Sequence, residues 1–311
     1  QNFLTKKDIE QLKMARKQKD LEEKYYNMEE KGIDFVPYFQ KTYPKRLSEL
    51  DAAPYALYVK GKLPDASKLS VAVVGARNCT PYGRDMARMF SYRLAAAGVF
   101  VISGMALGID GWGHQGALEA GGETYAVLGS GVMRCYPSCH QNLYESIVRH
   151  GGVISEFPVY ARAKPVFFPM RNRIISGLSD GILVVEAREK SGSLITADAA
   201  LEQGKDVFVI PGRIGDELSV GCNRLIRMGA VPVLTPDDIL DYYGVKTSDG
   251  SQNVNETEQK ILAFLGGKTM HMDEISAGLS LPMTQLLKCM IVLQKKGYVI
   301  EVGRNFFMKK I

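Results

Sequence analysis

The densest chemistry in the chain lies between Lys164 and Thr196. Lys164-Pro165-Val166-Phe167-Phe168-Pro169-Met170-Arg171-Asn172-Arg173 interleaves cations with aromatic rings. That mixture suits single-stranded nucleic acid, where charges follow the phosphates and rings stack on bases. Helical spacing keeps Arg171 and Arg173 from facing the same way, so one of them is expected to be structural. The two phenylalanines fit a stacking platform or a hydrophobic core equally well. Downstream, Ser191-Gly192-Ser193 opens a helix, where the residues can form a phosphate nest or simply an N-cap.

A second group sits where apolar runs end. Val73-Val74-Gly75-Ala76-Arg77 places a glycine and then an arginine after a strand, so that backbone amides and the next helix start can approach a phosphate. It is not G-x-G-x-x-G, so the dinucleotide fingerprint fails, and Arg77 fits a phosphate or base face better than the ribose of NAD. Ser103-Gly104-Met105-Ala106-Leu107-Gly108 and Gly129-Ser130-Gly131 are turns of similar character. Three such turns at one sheet edge predict an anion site. Other chemistries find less support. Cys135, Cys139 and His140 lack the tight spacing and fourth ligand of a zinc site and read as unpaired loop thiols. No Walker loop occurs, no nucleophilic triad can be assembled around the 4 histidines, and no cofactor or metal is expected.

These residues need a scaffold, and the pattern supplies one. Apolar, β-branched runs at Val71–Val74, Val99–Ser103, Thr124–Leu128, Gly152–Ser155, Gly181–Glu186, Asp206–Ile210 and Val231–Leu234 alternate with helical stretches. Such alternation predicts an α/β fold: a doubly wound, Rossmann-like, mostly parallel sheet that presents ligand sites at the carboxyl ends of its strands. Thr5–Glu30 reads as one charged amphipathic helix, and 1–63 as a helix and lead-in. The Rossmann-like domain is expected over 64–243 and a linker over 244–255. Residues 256–311 give three helical patterns and a hairpin, the signature of a winged helix-turn-helix. Its presumed recognition helix, Pro282–Lys296, begins with only Thr284 and Gln285 suited to base edges, so the expected role is assembly or a protein partner, with weak duplex binding as the alternative.

With 39 Lys+Arg against 34 Asp+Glu, a net charge of +5 permits an anionic partner without demanding one. At 46% apolar and 23% charged, the 311 residues exclude a disordered tail or a disulfide scaffold. No apolar run approaches the ~20 residues of a membrane span, and no signal peptide is read at the front. The 5 scattered cysteines favour a reducing, cytoplasmic location. The chain opens on Gln1, and a preceding segment is expected.

Taken in order, these pieces resemble the DNA-processing protein A (DprA, or Smf) family of bacterial single-strand DNA-binding proteins, which load RecA recombinase in natural transformation. Besides the turns at Gly75–Arg77 and Ser103–Asp110, the match includes Phe168–Ser179, Glu186-Ala187, Ser191–Thr196, Pro211-Gly212 and Gly221–Ala230, from about Tyr43 to Leu240. The resemblance implies single-stranded DNA, RecA and a second copy of the chain as partners, with single-strand-binding protein a further one, and a binding protein rather than an enzyme. It points to Gly75, Arg77, Ser103, Gly104, Lys164, Phe167, Phe168, Arg171, Asn172, Arg173, Ser191, Gly192 and Ser193 for nucleic acid, and to Asn223, Ile226, Arg227 and Val233 for the dimer contact. Members usually carry an acid where this chain has Met133, which raises the local positive potential. Their front helical domain is larger than Thr5–Glu30. The alternative is an enzyme similar to nucleoside-monophosphate phosphoribohydrolases. There the window Ser191–Asp198 keeps Thr196 but holds Asp198 in place of the catalytic Glu, and shortening that acid by one methylene can cost about 10²-fold in rate.

Overall fold

The computed structural model describes residues 5–16, 21–245, 255–266, 268–295 and 298–309. They fall into two compact units, Gln1–Val245 and Lys246–Ile311. The first opens with helices α1 (Lys6–Arg16) and α2 (Leu21–Glu30), then β1 (Ile33–Pro37), the short α3 (Lys45–Ser48) and β2 (Ala56–Gly61). The single helix expected over Thr5–Glu30 is thus described as two, with 17–20 outside the described residues. Strand and helix then alternate through β3 (Ser70–Val74), α4 (Pro81–Ala96), β4 (Phe100–Ser103), α5 (Ile109–Glu119), β5 (Thr124–Val127), α6 (Gln141–His150), β6 (Gly152–Ser155) and α7 (Phe167–Leu178). They continue through β7 (Gly181–Val184), α8 (Gly192–Glu202), β8 (Asp206–Val209), α9 (Val220–Arg227), β9 (Val231–Pro232) and α10 (Pro236–Tyr242).

One nine-stranded sheet has the order β1-β2-β6-β5-β4-β3-β7-β8-β9. From β6 to β9 every pairing is parallel. Strands β3 to β7 are buried at every position because helices cover both faces, so their sequences run as unbroken apolar stretches. After β3 the chain winds outward through β4, β5 and β6, then returns to place β7 on the other side of β3. The order reverses there, and the loops after β3 and β7 diverge to leave a crevice at the carboxyl edge.

The stretch from Gly32 to Leu63, expected to be a lead-in, instead completes the sheet. β2 pairs antiparallel with β6, and β1 with β2. In β2 the inward Leu57 and Val59 are buried while their neighbours are partly exposed, the alternation of a strand covered less fully on one face. Pro37 and Pro54 hid this, but Pro37 only ends β1 and Pro54 precedes β2, positions at which a missing N–H costs no central ladder bond. Arg46 of α3 ties the segment to the amino ends of β3 and β7. Its guanidinium donates to Ser70 Oγ at 2.8 Å, Asp180 Oδ2 at 2.9 Å and the carbonyls of Lys68 and Leu178. Asp180 also accepts the Ser70 amide at 2.8 Å.

In the second unit α11 (Glu256–Leu265), α12 (Met272–Leu279) and α13 (Met283–Lys295) enclose Ile261, Leu265, Ile275, Leu286, Met290 and Leu293. Asn255 begins α11 with a reciprocal capping box to Glu258. The expected hairpin is present as β11 (Val299–Gly303) and β12 (Phe306–Lys309), and β10 (Met270–His271) adds a third strand on the far side of β12. The linker expected over 244–255 lies mostly outside the described residues, as does Lys296. Among the described residues no single helix is long and apolar enough to cross a membrane.

Because the Arg46 guanidinium satisfies one carboxylate and three oxygen acceptors, Arg46→Ala is expected to lower stability by about 2 kcal/mol. Urea unfolding followed by fluorescence checks this: the chain's single tryptophan, Trp112, lies in the first unit.

Candidate nucleic-acid interface

At the crevice, Glu186 at the end of β7 fixes the turn that carries Arg77. Its carboxylate accepts the Thr80 amide at 2.9 Å and the Thr80 hydroxyl at 2.5 Å, and its carbonyl accepts the Ala76 amide at 2.8 Å. Thr80 in turn caps α4 by accepting from Gly83. A carboxylate at a helix start is favoured by the helix dipole, so the acid is consumed in architecture. Arg77 is left exposed, with its guanidinium carbon 5.0 Å from the centre of the Phe168 ring.

The cleft beneath Arg77 is lined by Gly104, Ala106, Leu107, Gly129, Ser130, Tyr136, Pro137 and Phe168. Its contributors are the loops after β3, β4 and β5 and the first turn of α7. That helix starts at Phe167, and Pro169 sits in its first turn, where a missing N–H is harmless. Gly129 lets Phe168 lie against the β5 loop; a Cβ there would stand 2.8 Å from the ring. Tyr136 also packs against Phe168, its ring tilted and the ring centres 5.6 Å apart.

Arg171 does not meet solvent. It is 3% exposed, donates to the Val127 carbonyl, and has its guanidinium carbon 6.0 Å from the Phe168 ring, so it forms the cleft's floor rather than a contact with a ligand. Gly104 leaves room for it: a Cβ there would stand 2.0 Å from the guanidinium. Burial lowers its pKa to about 10, which still leaves it charged at neutral pH. Asp110, also buried, accepts the amides of Gly104 and Ala106 and sits in Arg171's field. Burial raises the Asp110 pKa, and Arg171 and the two amides oppose that rise. Arg173 points elsewhere and pairs with Glu156. Arg171 is thus the buried, structural arginine of the pair, while Arg173 is engaged by Glu156 but keeps part of its side chain exposed.

The other predicted residues divide. Lys164 lies 5.5 Å from the Phe167 ring, which itself stacks on Phe157 at 4.0 Å. Ser103 is buried and donates to the Val73 carbonyl at 2.6 Å, and Gly75 packs on Ile109 below the Arg77 turn. Asn172 is buried and donates to the Gly192 carbonyl at 3.2 Å. Ser191, Gly192 and Ser193 do open α8, but Ser193 is buried, and the groove that Ser191 and Gly192 line is a different one, shared with Asp198, Lys190 and Arg224. Of the expected dimer residues, Val233 is fully buried in the core and cannot meet a second copy, because β9 turns it inward under α10. Asn223 is bonded in both directions to the backbone of Gly212. Ile226 and Arg227 remain accessible, beside exposed Met228 and Leu234. Cys135, Cys139 and His140 form no metal-holding group among the described residues.

His114, in the helix after Gly111 and read from the sequence as structural rather than catalytic, is fully buried on α5. The Thr124 hydroxyl donates to the Val101 carbonyl at 2.8 Å, so it must accept from His114 Nδ1 at 2.7 Å. Its Nδ1 therefore carries a hydrogen, and burial, with the nearby charges of His140 and Arg171, pushes the imidazole pKa down to about 3, so the ring is neutral at neutral pH.

With this geometry established, the comparisons are specific. A family model described as DNA recombination-mediator protein A matches residues 34–244. The chain belongs to that family. It is 36% identical to Protein Smf of Escherichia coli over 301 residues, which covers 93% of this chain and 80% of that protein. The crystal structure of DprA from Streptococcus pneumoniae superimposes with a TM-score of 0.63 at 38% identity, covering 67% of this chain and 74% of that one. A DprA structure from Helicobacter pylori, reported for that protein's single-stranded DNA binding mode, gives 0.61 at 27% identity, covering 68% and 95%. In this DprA-family chain the residues expected at the interface thus separate into exposed Arg77 and Lys164 with the partly exposed rings of Phe167 and Phe168, buried groups such as Ser103, Arg171 and Asn172 beneath them, and the α8 start in its own groove.

His114 supplies a pH test of that support. Its folded pKa lies below the unfolded value of about 6.5, so the unfolded chain takes up a proton first as pH falls, and stability drops from about pH 6.5 downward. His114→Gln is expected to remove this dependence, flattening the slope of unfolding free energy between pH 6 and 4 by about 1.4 kcal/mol per pH unit. Urea titrations across that range would measure it; parallel slopes for the two proteins would contradict the assignment.

Proposed function

We propose that the chain binds single-stranded DNA, without strong sequence preference, in the Arg77–Phe168 cleft, and that it acts in the cytoplasm as a homodimer that hands the strand to RecA recombinase, with single-strand-binding protein as a further partner. The observation that carries this is a guanidinium with no acidic partner among the described residues, poised over a partly exposed ring at the sheet's carboxyl edge. The cation can meet a phosphate while the ring receives a base. The binding mode described for the Helicobacter pylori relative supports the ligand class.

The surface beside α9 is the proposed dimer contact, with Ile226 and Arg227 joined by Met228 and Leu234. The function is binding rather than catalysis: Asp198, the acid that a phosphoribohydrolase would need, is exposed in the groove at the start of α8, not in the cleft of Arg77. For the C-terminal unit the proposal is a protein contact. Its helix α13 buries Leu286, Met290 and Leu293 but exposes Met283, Leu287 and Ile291, a stripe poorly suited to base edges.

Fluorescence anisotropy with labelled oligo-dT and a matched duplex, at several salt concentrations, tests the main reading. Wild type is expected to prefer the single strand. Arg77→Ala should weaken binding and reduce the log–log salt slope by about 0.7, the share of one phosphate. Phe168→Ala should lose about 1–3 kcal/mol if the ring carries a base. A folded Arg77→Ala protein that binds as tightly as wild type would remove the cleft from the function.

A further inference from the structure

We propose that a row of exposed side chains, Tyr160, Arg162 and Lys164, continues the nucleic-acid track out of the Arg77–Phe168 cleft, with Tyr160 a second stacking position. The inference rests on the single-strand reading above and adds two residues, Tyr160 and Arg162, that the sequence did not single out.

Three observations carry it. First, the segment leaving β6 turns at Pro158–Ala161, where the Ala161 amide bonds the Pro158 carbonyl at 2.8 Å, and it then runs without helix or turn to Lys164. Along it exposed Tyr160, Arg162 and Lys164 alternate with half-buried Ala161 and Ala163. Tyr160 thus sits in the turn and Arg162 and Lys164 follow it closely, so the ring and both cations are presented to solvent along one short stretch of chain.

Second, the row is fastened to the wall of the cleft. Gly131 donates to the Ala161 carbonyl at 2.9 Å and Met133 to the Val159 carbonyl at 3.0 Å. The contact is backbone on backbone: a Cβ on Gly131 would stand 2.1 Å from the Pro158 carbonyl oxygen. Gly129, two residues earlier in the same loop, is the one that packs on Phe168. Two residues of chain reach at most about 7 Å, so the two aromatic positions flank one short wall.

Third, Tyr160 resembles Phe168 in its surroundings. Tyr160 is 52% exposed, and Lys31 holds its ammonium 5.6 Å from the ring centre. Glu29 and Glu30 precede Lys31 at the end of α2, which dilutes the charge there. The ring, rather than Lys31, is therefore the group to test.

Anisotropy with labelled 20-mer oligo-dT decides the matter. Tyr160→Ala is expected to weaken binding about fivefold or more with an unchanged salt slope, while Tyr160→Phe stays within about twofold of wild type, because stacking needs the ring and not the hydroxyl. Arg162→Ala should lower the log–log salt slope by about 0.7. Unchanged Trp112 emission would confirm that the variants are folded. If Arg77→Ala weakens binding while Tyr160→Ala and Arg162→Ala both match wild type, the cleft stands and the extended track is wrong. A wild type that binds no single strand would overturn the parent reading, and the track with it.

Discussion

A buried guanidinium organises the carboxyl edge of this sheet. Removing a cation from water is costly unless its hydrogen-bonding groups and charge are answered nearby. Arg171 is answered by the Val127 carbonyl at the end of β5 and by the field of Asp110, which in turn holds the amides of Gly104 and Ala106 after β4. The ends of two adjacent strands and one helix are thereby locked to a single side chain. Phe168 lies three residues before Arg171 on α7, the spacing that puts both on one face of a helix. The accessible ring is thus placed by the inaccessible charge below it.

The electrostatics follow from how the carboxylates are used. Glu186 is bonded to the Thr80 turn and Glu156 to Arg173, and Asp110 is buried beneath the floor. Many surface arginines of the first unit, among them Arg46, Arg84, Arg88, Arg93 and Arg188, have acidic partners. Among the described residues Arg77 has none. Its guanidinium faces an aromatic ring, a contact that orients a cation without neutralising it. A phosphate meeting Arg77 therefore has no protein carboxylate to displace.

How much of this was legible in the sequence depends on whether a residue's neighbours are local. The strands from β3 to β8 were legible because full burial on both faces writes itself as continuous apolar runs. β1 and β2 were not, since an antiparallel edge needs only alternate apolar positions, and the prolines beside those strands resemble loop signals. The turn at Arg77 was legible from its glycine and its place after a strand. The division of labour within Lys164–Arg173 was not, because the partners of Arg171 and Arg173, Val127 and Glu156, lie 44 and 17 residues away. The same limit explains Val233: its local pattern reads as an edge strand, but α10 folds back over it. Ser191–Ser193 opened a helix as expected, yet only the sheet order shows that this start belongs to a neighbouring groove.

The two arginines of α7 also explain how one helix can serve two parts of an interface. Residues two apart on a helix are separated by about 200° around its axis, so their side chains leave on nearly opposite sides. Arg171 goes to the β4 and β5 ends and fixes the floor under Phe168. Arg173 goes to Glu156, the first residue after β6, and fixes the start of the segment that carries Phe157 and Tyr160. Phe157 then stacks on Phe167, joining that segment back to the first turn of the same helix. Cleft and outgoing segment thus share α7 as a common rigid support. Such a frame places rings and cations at fixed separations before any ligand arrives, which lowers the ordering cost of binding. It also accounts for the occurrence of both arginines within three residues of one helix, each bound to a different part of the frame.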